Sequence, residues 1–147
     1  MVSMAAELRR TYFKLLIPAL LGFIGIFYAK KLNLIGYYGH PELQKLFPPL
    51  IFVLSVIFAV ALPIVYRMLF VRKIRNHKNI SEKVFIEFER SFLYIALATP
   101  YITLTAYLLE IPRFHLAGTV LMGLYAAYYY YPSQKRVRFE KRMFRVK

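Results

Sequence analysis

Seven glutamates and three histidines supply most of what this chain offers for acid–base or metal chemistry, because cysteine and aspartate are absent. Two histidines, His40 and His115, map to the same side of the chain plan developed below, which raises a shared haem or metal site. Such a site wants ligands buried within helices and oriented by further hydrogen-bond partners. His40 instead precedes Pro41 in a turn-rich stretch and His115 falls at a helix end, so the pair reads as ordinary interfacial histidines. No metal or cofactor is expected. His77, in "RNHKN", reads as a solvated loop residue.

Catalysis would have to come from interfacial groups: Glu110 with His115, or Arg67 with Glu89 acting on a lipid phosphate. Glycine-rich phosphate loops, HExxH signatures and Ser/His/Asp sets do not occur as recognisable patterns. Ser55 and Ser91 have no plausible neighbouring base. No catalytic residue is therefore assigned, and a non-enzyme is the expectation.

The elements that would position these groups follow from the distribution of charge. Of the 147 residues, 59% are hydrophobic, yet the formal net charge is +14. A soluble 17.4 kDa chain buries too small a share of its surface to hide that much apolar area. The charges are segregated: residues 15–29, 46–66, 91–109 and 116–134 contain no Asp, Glu, Lys, Arg or His. Each stretch approaches the roughly 20 residues a helix needs to cross about 30 Å of hydrocarbon, and backbone in lipid must be internally hydrogen-bonded. No stretch alternates as a barrel strand does. The first, ending in "GFIGIFYAKK", has no small-x-small cleavage site and reads as a retained anchor.

The fold class expected is thus all-α, an integral membrane protein in one domain over 1–147. Its four transmembrane helices lie at about 12–29, 46–67, 88–109 and 114–132, followed by a basic tail at 133–147. The last two, joined only by "EIPRF", form a tight helical hairpin in which Glu110 and Arg113 are placed to pair. Pro48 and Pro49 are expected at the start of the second helix, where proline is tolerated. Four spans put the N-terminus, the 67–90 connection and the C-terminus on one side. Seventeen of the 21 Lys and Arg residues fall there, and only Lys30, Lys31, Lys45 and Arg113 fall on the other. By the positive-inside rule both termini are cytoplasmic, as in a multi-pass protein of the bacterial inner membrane.

Within the 67–90 connection, Asn79 with Glu82 three residues on resembles a capping box. Phe85, Phe88 and Phe92 then share one stripe of a helix continuing into the third span. Arg72, Lys73 and Arg75 face the acids Glu82, Glu87 and Glu89, giving a collar whose charges neutralise one another or meet a cytoplasmic partner. Small residues mark faces for close helix packing: Ala19, Gly22, Gly25 and Ala29 on the first span, Ala96, Thr99 and Thr103 on the third, Gly118 and Gly123 on the fourth.

The end of the chain, "YAAYYYYPSQKRVRFEKRMFRVK", has the aromatic and basic ingredients of a single-strand nucleic-acid binder. A membrane origin explains it better: tyrosines at the headgroup level, Pro132 as a helix stop, then seven cations against one acid. Phe139, Met143 and Val146 share a helical face suited to the inner leaflet. Lys135, Arg136, Arg138, Lys141 and Arg142 are the expected contacts to anionic lipid, or to another protein. No nucleic-acid partner is expected.

The absence of ionisable groups at membrane depth argues against charge-bearing transport. The function expected is non-catalytic: an accessory, scaffold or assembly subunit of a larger membrane complex, partnered by other membrane subunits or by further copies of itself. The alternatives are an oligomeric carrier or channel for an uncharged or lipid-like molecule, and a lipid-modifying enzyme.

Overall fold

The computed structural model describes residues 3–34 and 43–147. His40, with the turn-rich stretch around it, lies outside them. Among the described residues the protein is all-helical. Its one piece of extended pairing is an isolated parallel bridge between Ile80 and Val146.

Helix α1 runs Met4–Lys31, starting two turns before the expected span. Ser3 explains the early start: its side chain accepts from the Ala6 amide at 3.2 Å, satisfying a donor the first turn leaves free. Glu7 at this end and Lys30 and Lys31 at the other suit the helix dipole. Asn33 takes the left-handed conformation that ends the helix (φ 53°).

Helix α2 (Leu43–Val56) passes through a single π-helical turn, Ile57–Ala61, into α3 (Leu62–Ile74). Pro48 and Pro49 lie inside α2 rather than at its start. The π turn immediately precedes Pro63, whose ring and missing N–H forbid a regular ladder to Ala59.

The third apolar stretch is divided: α4 (Glu82–Ala96) ends at Leu97 and α5 (Ala98–Leu108) carries the chain on. Pro100 gives the reason, since it cannot donate to the carbonyl of Ala96 four residues back. The expected capping box does not form. Ser81 is the N-cap, without a side-chain cap bond, because Ile80 is drawn into the bridge with Val146. Glu110 adopts φ 53° in the connection before α6 (Arg113–Tyr129), and α7 (Gln134–Met143) follows Pro132, N-capped by Ser133.

Three helical segments are long and apolar enough to cross a membrane: Met4–Lys31, Lys45–Ile74 and Glu82–Leu108, the last taken through Leu97. The 17 residues of α6 reach only about 25 Å at 1.5 Å per residue.

The starts of α1 and α4, the ends of α3 and α6, and all of α7 meet at one end of the bundle, the basic end. Its core is aromatic. Phe70 and Phe88 stack at 3.8 Å between ring centroids, and Phe144 meets both edge-on. Phe85 and Phe92 complete the buried stripe. At the opposite end Ile51, Ala106 and Ile111 form a smaller cluster.

Candidate functional site: a buried charge cluster under the C-terminal helix

Only two carboxylates are buried among the described residues, Glu89 on α4 and Glu140 on α7, each 4% exposed. They lie within hydrogen-bonding reach of each other at the basic end. Both sit there because amphipathic helices turn one face inward: α4 buries Phe85, Phe88, Glu89, Phe92 and Leu93, and α7 buries Val137 and Glu140. The tail therefore packs on its own bundle through Val137, Glu140 and Phe144. Phe139 and Met143 of the expected lipid-facing stripe remain exposed.

Two guanidiniums close the cluster. Arg136 Nε lies 3.2 Å from Glu140 Oε1, one helical turn away, and Arg67 Nη1 approaches the same oxygen at 3.8 Å. Each cation is also fixed by other groups. Arg136 Nη1 donates to the carbonyl of Tyr129 at 2.9 Å, and its guanidinium lies 5.7 Å from the centroids of Phe92 and Tyr130. Arg67 lies 5.8 Å from the centroid of Phe144 and donates to Met143 Sδ at 3.8 Å. Two carboxyls this close share a proton, so the pair carries one negative charge, placed at Glu140 where both guanidiniums meet it, and buries less charge than two separate carboxylates would. Glu140 Oε2 is buried without a hydrogen-bond partner.

The cluster joins α3, α4 and α7, and backbone bonds reinforce it. Ile80 N–H donates to the Arg145 carbonyl at 3.3 Å, and Lys147 N–H donates to the Ile80 carbonyl at 3.0 Å. Lys141 pairs with Glu82 at 2.7 Å. The arrangement clamps the C-terminal helix to the 67–90 connection. Arg67 and Glu89, which sequence reasoning paired around a lipid phosphate, meet through Glu140; that glutamate carries no local signal of its role, being a single acid among seven cations in the tail.

The other expected residues are distributed as follows. Arg72, Lys73, Arg75, Lys135, Arg138 and Arg142 are exposed. Ala19, Ala96, Thr99, Thr103 and Gly123 are buried, and Gly22, Ala29 and Gly118 half-buried, while Gly25 is exposed. Thr103 Oγ1 contacts the carbonyls of Thr99 and Thr119 at 3.1 and 3.0 Å, holding α5 to α6. His115 is half-buried on α6, its Nδ1 buried without a partner. Among the described residues no three His or Glu side chains gather as a metal site would require. Glu110 pairs with Lys30 at 3.2 Å, not with Arg113, because its left-handed backbone turns it toward α1.

Tyrosines make three further long-range polar contacts. Tyr12 donates to the Ala127 carbonyl, Tyr101 to that of Leu15 and Tyr130 to that of Ala59, each at 2.6 Å. Of the three acceptors, Ala59 is the one whose regular ladder donor would be a proline, Pro63 four positions on.

Comparison with protein-family models, with curated proteins and with solved structures finds no match.

Proposed function

We propose that this chain is a non-catalytic integral protein of the bacterial inner membrane, serving as an accessory, scaffold or assembly subunit of a larger membrane complex. In this reading it crosses the membrane four times, with α6 as the short fourth span and both termini in the cytoplasm. The seventeen-to-four division of basic residues supports the orientation.

One observation carries the accessory reading. Helix α1 is 28 residues long, yet only 11% of its most apolar window is buried, against 44% for Glu82–Leu108. Ile17, Leu20, Leu21, Ile24 and Phe27 are all exposed along it. A helix so lightly held by its own bundle has a face free for another membrane protein, whose side chains pack better than lipid against small residues such as Gly25. Meanwhile the buried charges and tyrosine hydroxyls are occupied in holding helices together, and supply no charged path through the bundle.

Extraction in mild detergent followed by native mass spectrometry tests this. Stable, stoichiometric membrane partners are the expected result. A lone homo-oligomer that transports a neutral solute or lipid in liposomes would overturn it in favour of the carrier reading.

A further inference from the structure

A second cluster of cations lies on the outer surface of the basic end, apart from the buried clamp. The first turns of α1 and the middle of α4 border an open cleft of about 790 Å³, lined by Glu7, Arg10, Thr11, Lys14, Arg90 and Tyr94 among others. Glu7 is paired with Arg90. Among the described residues no carboxylate lies within salt-bridge distance of Arg10 or Lys14. These two cations are four residues apart, so both project from one face of α1 into the same cleft. Arg90 faces them from α4, and its Nε is buried without a hydrogen-bond partner. Three cations against one paired acid fit a phosphate.

The position of the cleft selects the kind of phosphate. Lys14 is the last charged residue before the uncharged stretch 15–29, and Leu15 forms part of the cleft lining. Continuing down the same side of α1, Pro18, Leu21 and Gly25 are all exposed, and no atom lies within 4 Å of where a side chain on Gly25 would begin. An exposed apolar strip of α1 thus leads away from the cations. Tyr94, 54% exposed, places an amphipathic ring at the junction, as suits a headgroup zone.

We propose that the cleft between α1 and α4 binds the headgroup phosphate of an anionic phospholipid through Arg10, Lys14 and Arg90, with the acyl chains lying along the exposed apolar strip of α1. This rests on the membrane reading above and adds a discrete site distinct from general attraction to the tail. The site would stabilise the lightly packed α1 against the bundle by bridging it to α4 through the lipid.

The full chain in mild detergent, titrated with phosphatidylglycerol or phosphatidylcholine and followed by native mass spectrometry, tests the proposal. The expected result is one retained phosphatidylglycerol per chain in preference to phosphatidylcholine. Arg10→Gln/Lys14→Gln should weaken that retention by about tenfold to thirtyfold, taking about 1 kcal/mol per cation near an anionic surface. Arg10→Lys/Lys14→Arg should keep it, and Lys135→Gln/Arg138→Gln, with the same charge change on the tail, should alter it less than threefold. Circular dichroism of each variant shows that the fold is retained. Equal retention of the two lipids, or equal loss in both neutralised pairs, overturns the site. Competition by millimolar glycerol phosphate or inorganic phosphate overturns the lipid in favour of a soluble phosphate. Release of the protein from membranes by alkaline carbonate would instead defeat the membrane reading itself.

Discussion

The hydroxyl of Tyr130, at the end of α6, donates to the carbonyl of Ala59 across 2.6 Å of buried interior. In a regular helix that carbonyl would accept from the residue four positions on, which is Pro63. Having no N–H, Pro63 leaves an acceptor turned out of the ladder, and the tyrosine satisfies it from a neighbouring helix. The π turn Ile57–Ala61 and the Tyr130 contact are therefore two consequences of one proline.

Tyr130→Phe should lower stability by about 1 kcal/mol, the net cost of losing one buried hydrogen bond, with values nearer 0.6 typical in lipid. Tyr128→Phe, at a side chain 88% exposed, should be neutral. Restoring the amide with Pro63→Ala should make Tyr130→Phe cheaper, giving a coupling of about 0.5 kcal/mol or more in a double-mutant cycle. Unfolding by sodium dodecyl sulfate in mixed micelles reads all four proteins. Additive effects would show that the two residues act separately.

Glu140→Ala leaves Arg67 and Arg136 without their shared partner and Glu89 without its neighbour. A loss of about 2 kcal/mol in the docking of α7 is expected, in the range for hydrogen bonds to charged groups. Trypsin cleavage after Arg138, Lys141 and Arg142 should then accelerate about thirtyfold, since cleavage follows the population of the open form. Glu87→Ala, on the exposed side of α4, should leave the cleavage rate unchanged.

The glycines should separate by what lies against them. A Cβ on Gly123 would meet Thr103 Oγ1 at 2.8 Å, and that oxygen is engaged with two carbonyls. Gly123→Ala should destabilise by about 1–3 kcal/mol, as overpacking does. Gly25→Ala meets nothing within 4 Å and should stabilise α1 by about 0.5–1 kcal/mol through helix propensity. Thermal unfolding in one detergent gives both signs.

Orientation is testable because the chain has no native cysteine. Tyr38→Cys and Lys141→Cys, introduced singly, should react with a membrane-impermeant maleimide from opposite sides of sealed vesicles. Modification of both from the same side would contradict the four-span topology.

Sequence by itself determined the helical class, the aromatic stripe of Phe85, Phe88 and Phe92, and the grouping of basic residues. These depend on composition and short-range period, which a chain displays before it folds. The helix interruptions were less legible, because a proline's effect depends on whether a partner can satisfy the carbonyl it frees. Pro48 and Pro49 sit inside α2, Pro63 follows a π turn, and Pro100 divides α4 from α5. Only the tertiary structure decided where Glu140 goes. Its partner Glu89 lies 51 positions away on another helix, and Arg67 further still, so no local pattern announces a charge cluster assembled by three helices. The same holds for Arg10, Lys14 and Arg90, which read as scattered surface cations until α1 and α4 pack side by side and turn them toward one cleft.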